Sequence, residues 1–219
     1  MLDTVKIRRR GEASRGFTLL EAVVAAGILA VLLGAVIAIY FSCGHSWRRG
    51  ITESRAQTAA WWVIRRMAPE VRAAMSLTPF PAPYADCGIT LQLPARGFDS
   101  GAQTYFNQVA IGGDGRPYLA SGNTVNYFRG DEAGAPALSG SRLWRVVNGP
   151  DGTEVQREVV VSGLLDNPAD GSGQPKPMFI YWPDIFRLKS VETTVTVEAR
   201  ESGRRAVATI VGETALRNK

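Results

Sequence analysis

A single carboxylate, Glu21, sits inside the apolar run Phe17–Phe41 (FTLLEAVVAAGILAVLLGAVIAIYF), and the residue just before that run is Gly16. A carboxylate held in hydrocarbon is costly, and such groups normally have a partner. Cutting the chain after Gly16 would supply one. The new α-amine on Phe17 is cationic around neutral pH and lies about one helical turn from Glu21. It can neutralise Glu21 within the chain or, better, in a neighbouring copy. Glycine suits the cut, because without a side chain it offers a peptidase an unhindered, extended bond. The competing reading is an unpartnered Glu21 that snorkels towards the cytoplasmic leaflet.

The rest of the chain is poor in reactive constellations. His45 is the only histidine, which leaves no His-based metal cluster or catalytic triad. It follows the apolar run closely, where a solvated or lipid-facing imidazole is expected. The run Asp166-Asn167-Pro168-Ala169-Asp170-Gly171 gathers carboxylates, but Pro168 occupies a ligand position of a calcium loop, so a flexible surface loop is expected. Gly112-Gly113-Asp114-Gly115 lacks the lysine and the strand-then-helix setting of a phosphate loop and reads as a turn. Cys43 and Cys87 are too few for a disulfide framework. They can pair if both lie in an oxidising compartment, and otherwise are free thiols. No catalytic residue, cofactor, metal or small-molecule ligand is expected.

The element that must position Glu21 is the apolar run itself. At about 25 residues it is long enough to cross a bilayer as a tilted helix. Lys6, Arg8, Arg9, Arg10 and Arg15 precede it and Arg48 and Arg49 follow it, which keeps the N-terminus cytoplasmic. Tyr40, Phe41 and Trp47 supply ring side chains for the far interface. The formal net charge is +5, and the first sixteen residues hold +3 of it, so the basicity says little about nucleic acid. A cleaved secretory signal needs a shorter core and small residues at its end, where this chain has Tyr40-Phe41-Ser42-Cys43. The same bulky residues disfavour a lipoprotein signal at Cys43. A plain signal anchor fits length and charge but explains neither Gly16 nor Glu21.

Gly16-Phe17-Thr18-Leu19-Leu20-Glu21, behind a basic leader and ahead of a long apolar helix, resembles the class III signal of type IV prepilins and type II secretion pseudopilins. The resemblance implies cleavage after Gly16 by a prepilin peptidase and N-methylation of Phe17. It also implies that Glu21 pairs with the terminus of an adjacent subunit during filament assembly. Other pilins or pseudopilins, the peptidase and an inner-membrane assembly platform are the implied partners. Many major pilins of this family carry a proline midway along the membrane helix; here Gly27 and Gly34 are present and no proline is.

Beyond the membrane segment, Gly44 and Gly50 should weaken the helix by about 1 kcal/mol each. From Thr52, Ala56, Ala59, Ala60, Val63, Met67, Val71, Ala74 and Met75 recur at helical spacing. Glu53, Arg55, Arg65, Arg66, Glu70 and Arg72 fall mostly on other faces, and Trp61 and Trp62 flank the stripe for packing on the head or on a neighbour. Pro69 should kink or restart the helix, and the proline-rich Thr78–Pro83 ends it. A period near two then predicts strands at Gly88–Leu93, Gln103–Ile111, Thr124–Phe128, Arg142–Val147, Glu154–Ser162, Met178–Trp182, Val191–Arg200 and Arg205–Val211. Hairpin turns are expected at Asn148–Gly152 and Glu201–Arg204.

The expected fold class is α+β, a long N-terminal helix with its outer half laid on an antiparallel sheet. The expected divisions are a leader at 1–16, a membrane helix at 17–41, its periplasmic extension at 42–78 and a β-rich head at 79–219. The head segments Ala59–Ala73, Val125–Arg129, Leu143–Val147 with Val159–Leu164, Phe179–Tyr181 and Leu216-Arg217-Asn218 are similar to the J-type minor pseudopilin of type II secretion and the W-type minor pilin of type IV pili. That resemblance implies a structural subunit of a periplasmic pseudopilus or, alternatively, of a pilus for adhesion, motility or DNA uptake. The subunit at the extreme pseudopilus tip usually lacks the glutamate, so Glu21 implies a place below it. Two rival classes are weighed. A nucleic-acid-binding head would need a basic stripe, for which Arg200, Arg204, Arg205, Arg217 and Lys219 are the candidates. A membrane-tethered enzyme would need a nucleophile–base or metal set, and the sequence offers none.

Overall fold

The computed structural model describes residues 18–99, 104–111, 113, 116–182, 189–201 and 203–216. A helix, α1, runs over Leu19–Ala73. Among the described residues twelve strands follow: β1 (Ser76–Pro79), β2 (Gly88–Pro94), β3 (Arg96–Asp99), β4 (Thr104–Asn107), β5 (Val109–Ile111), β6 (Pro117–Leu119), β7 (Ser121–Gly130), β8 (Arg142–Asn148), β9 (Glu154–Ser162), β10 (Phe179–Trp182), β11 (Ser190–Glu201) and β12 (Arg204–Ala215). The chain divides into two compact units, Met1–Arg48 and Arg49–Lys219.

In the first unit the described part of α1 is apolar all round and exposed throughout, as a helix destined for lipid should be. In the second unit the same helix becomes one-sided. Thr52, Ala56, Ala60, Val63, Ile64, Met67 and Val71 are buried at three- and four-residue steps. They face an antiparallel five-stranded sheet, order β1-β2-β7-β8-β9, and a three-stranded sheet, order β10-β11-β12. The core joins Val63, Met67 and Val71 to Ile89 and Leu91 of β2, Val125 and Tyr127 of β7, Leu143 of β8, and Val191, Val195 and Val197 of β11. Each fully buried aliphatic side chain of this kind stabilises by about 1.5–3 kcal/mol. The fold is thus α+β with a helix on an antiparallel sheet, as the alternating strands and the helical stripe require.

The small residues on the helix allow close approach. A Cβ added to Gly212 of β12 would lie 2.7 Å from Cγ2 of Ile64, so only glycine fits beneath the helix there. The β11–β12 hairpin is regular over twelve consecutive pairs, from Ser190↔Ala215 to Glu201↔Arg204, and Gly203 in its loop has φ 78°. The β8–β9 turn closes through Gly149 N donating to Thr153 O and Gly152 N donating to Gly149 O.

Several expectations need correction. The helix does not restart at Pro69, which lies inside the continuous Leu19–Ala73 element, as do Gly44 and Gly50. Past Pro69 it is held by Met67 and Val71, both buried in the core, and packing of this kind outweighs one missing backbone bond. It ends at Ala73, and Ser76–Pro79 is the edge strand β1 rather than helix; Leu77 is buried and pairs with Leu91. The strand expected at Gln103–Ile111 is two short ones, because the chain bends where Gln108 N donates to Ala95 O and Ala120 N donates to Gln108 O. Gln103 lies outside the described residues, as do Gly112, Asp114 and Gly115. Glu70 points not to solvent but to the sheet, where it meets Arg145. The second face of β11 is covered too, with Thr194 and Thr196 buried. Trp61 and Trp62 stay about half exposed, Trp61 beside β12 and Trp62 beside Val160 and Val161, which leaves each a face for a neighbour.

Candidate functional site

The site begins where α1 begins. Thr18 precedes the first helical residue and its hydroxyl accepts from the Glu21 backbone N–H at 3.3 Å. The Glu21 carboxylate in turn accepts from the Thr18 backbone N–H and from its hydroxyl, both at 3.0 Å. This reciprocal pair is a capping box, which satisfies backbone donors that the first turn of a helix otherwise leaves open. The spacing Thr-x-x-Glu is visible in the sequence and carries that signature, but it adds a helix-capping role to a residue marked there by its charge and its motif.

Glu21 is the only carboxylate in the apolar stretch, and the residues around it, Leu19, Leu20, Val23 and Val24, are exposed. Further along, Ile28, Leu29, Leu32, Val36, Ile37 and Ile39 are likewise open on all sides. Tyr40 and Phe41 meet edge to face with ring centres 6.1 Å apart, at the end of the stretch where ring side chains suit a membrane interface. Among the described residues of its own unit nothing covers this surface. It needs lipid or neighbouring helices. Gly16 and Phe17, the expected cleavage and methylation residues, and the basic leader lie outside the described residues.

The other candidates resolve as follows. Cys43 is exposed and Cys87 buried, and both are free thiols. Burial pushes the Cys87 thiol above its ordinary pKa. The Asp166–Gly171 segment is bound in place rather than loose. Asp166 accepts from the buried Arg129 guanidinium. The buried Asn167 amide donates to Thr194 O at 3.0 Å, and its carbonyl accepts from the Thr196 hydroxyl at 2.9 Å. Asp170 accepts from the Ser172 N–H and hydroxyl in a local turn. Among the described residues no group of three or more His, Cys, Asp and Glu side chains is placed to hold a metal. Of the basic candidates, Arg200 and Arg205 both contact Glu198, while Arg217 and Lys219 lie outside the described residues.

A buried ionic network escaped the sequence reading. The Arg145 guanidinium of β8 donates to Glu70 of α1 at 2.6 Å and to Glu158 of β9 at 3.2 Å. Arg66 reaches the same Glu158 at 3.0 Å, and the Tyr127 hydroxyl donates to Glu70 at 2.7 Å. Burial and then the Glu70 charge raise the Tyr127 pKa above its ordinary value. Burial alone would lower that of Arg145, but the Glu70 hydrogen bond and charge more than offset it. Every member is partnered, so the network fixes the helix on the sheet rather than offering a free nucleophile or base.

Residues 13–37 match the prokaryotic N-terminal methylation motif, a span that includes Gly16, Phe17 and Glu21. No curated protein and no solved structure matches the chain. That motif leads into an exposed apolar helix, and the head is α+β with a helix on an antiparallel sheet; together they support the type IV pilin-like family for this chain.

Proposed function

We propose that the chain is a minor pseudopilin of a type II secretion system, a structural subunit of the periplasmic pseudopilus and not an enzyme. One observation carries the reading: a single carboxylate, Glu21, stands at the start of a helical surface that is apolar and exposed on every side, inside the methylation motif. A prepilin peptidase cuts between Gly16 and Phe17 and methylates the new terminus. The amine of Phe17 then meets Glu21 of a neighbouring subunit in a bundle of apolar helices, where a charge pair is favoured over either charge alone. Before assembly the apolar helix holds the subunit in the inner membrane, single-pass, with the leader cytoplasmic and the head periplasmic. The head from residue 79 onward and the helical extension before it present surfaces to the other pseudopilins and to the assembly platform. Ala59–Ala73 and the β7–β9 segments resemble the J-type minor pseudopilin and the W-type minor pilin alike, so a minor pilin of a type IV pilus is the alternative reading.

The capping box makes the test sharp. Glu21→Gln keeps an acceptor at the third helical position and so preserves the box, but it removes the charge. In a host with the peptidase, the variant should be processed like the wild type, with a mass beginning at methylated Phe17. Its recovery with partner pseudopilins and its support of secretion should fall at least as far as those of Glu21→Ala. Normal assembly by Glu21→Gln would reduce Glu21 to a helix cap. A wild-type mature chain beginning anywhere other than Phe17 would remove the pairing altogether.

A further inference from the structure

β12 is the outermost strand of its sheet and, among the described residues, pairs only with β11. Long regular edges invite pairing with another chain, and proteins usually blunt them with prolines, bulges, lysines or short length. β12 has no proline, lysine or bulge, and its charged residues, Arg204, Arg205 and Glu213, lie towards its ends. It has twelve residues and keeps its register with β11 from end to end. A groove of about 950 Å³ lies between its Arg204–Ile210 stretch and Glu53, Gln57 and Trp61 of α1. Side chains of an added strand that point towards the helix therefore have room.

The outward-facing residues of β12 are Arg205, Val207, Thr209, Val211 and Glu213, all exposed and alternating with more buried neighbours. That order reads the same from both ends when charge is inverted. Laid antiparallel on a second β12 with Thr209 opposite Thr209, it sets Arg205 against Glu213, Val207 against Val211, and the reverse. Each of these is a favourable cross-strand pair. The surroundings agree. At one end Arg200 and Arg205 share the single carboxylate Glu198, a surplus of positive charge. At the other, Glu213 stands opposite Glu192. Lys176 is bound to Glu192 and the Ser190 hydroxyl donates to Glu213, a surplus of negative charge.

We infer that β12 pairs antiparallel with β12 of a second copy of this chain, about a two-fold axis at Thr209. The contact is isologous, so it closes at two copies. A polar filament grows through head-to-tail contacts instead, so this surface is separate from the one Glu21 serves. The inference stands whether or not the filament reading does.

The test uses the full chain in detergent with Cys43→Ser to remove the exposed thiol. Light scattering should show a protein dimer whose dissociation constant rises about tenfold or more in Arg205→Glu and in Glu213→Arg, since like charges then face each other twice. Mixing those two variants should restore the dimer, and so should both changes in one chain. Arg205 and Glu213 are eight residues apart, about 26 Å along a strand, so this rescue cannot arise within one copy. Oxidation of Thr209→Cys should give a disulfide-linked dimer. A monomeric wild type, an assembly larger than two copies, or no rescue in the mixture would overturn the inference.

Discussion

At the scale of residues, two charged groups show how differently a carboxylate can be read from sequence. Glu21 stands alone in an apolar run, so its neighbours in the chain are enough to mark it. Glu70 sits in a stretch rich in arginine and looks solvated, yet it is tied to Arg145, a residue 75 positions further on. No local pattern reports a partner at that distance. The pair is largely buried, with side-chain exposures of 8% for Arg145 and 15% for Glu70, so removing Arg145 leaves Glu70 with only the more distant Arg66 at 3.5 Å to offset its charge. Arg145→Ala should lower stability by about 3–5 kcal/mol, measured by denaturant unfolding of the full chain in detergent. The double change Glu70→Leu with Arg145→Met should cost much less, because it removes both charges while keeping volume.

At the scale of elements, the strands with clear alternation were legible nearly to the residue. Glu154–Ser162 is β9 as expected, and the β11–β12 hairpin turns where the glycine is. Short strands made by neighbours rather than by their own pattern were not. β1 exists because Leu77 finds Leu91 across the ladder, and β6 because it pairs with β5. The same holds for the helix, whose course through Pro69 is decided by the sheet beneath it. Gly212 marks how close that sheet lies. Gly212→Val should cost about 1–3 kcal/mol through overpacking against Ile64. Adding Ile64→Ala should recover part of the loss, a coupling that thermal melts of the single and double variants can read.

At the scale of the whole molecule, the two compact units divide the work between Arg48 and Arg49. The first carries the motif and the exposed apolar surface, and the second holds the core residues of the helix and both larger sheets. A chain starting at Arg49 should therefore stay in solution without detergent and keep its cooperative unfolding. Centrifugation and a circular-dichroism melt would check it, and precipitation would show that the head depends on the segment before it. The membrane half was legible because hydrophobic length is a local property. The face that β12 turns outward was not, because it depends on which side of the strand the helix takes.

That last dependence has a mechanical consequence. Between Glu201 and Arg204 only two residues set the phase of the whole closing strand. Lengthening this loop by one residue would shift β12 a single step past β11 and rotate every side chain through half a turn. Arg205, Val207 and Glu213 would be driven under the helix while the alanines came to the surface. A change at the tip of one hairpin would thus spoil the interior and erase the outer lettering together, with no core residue altered.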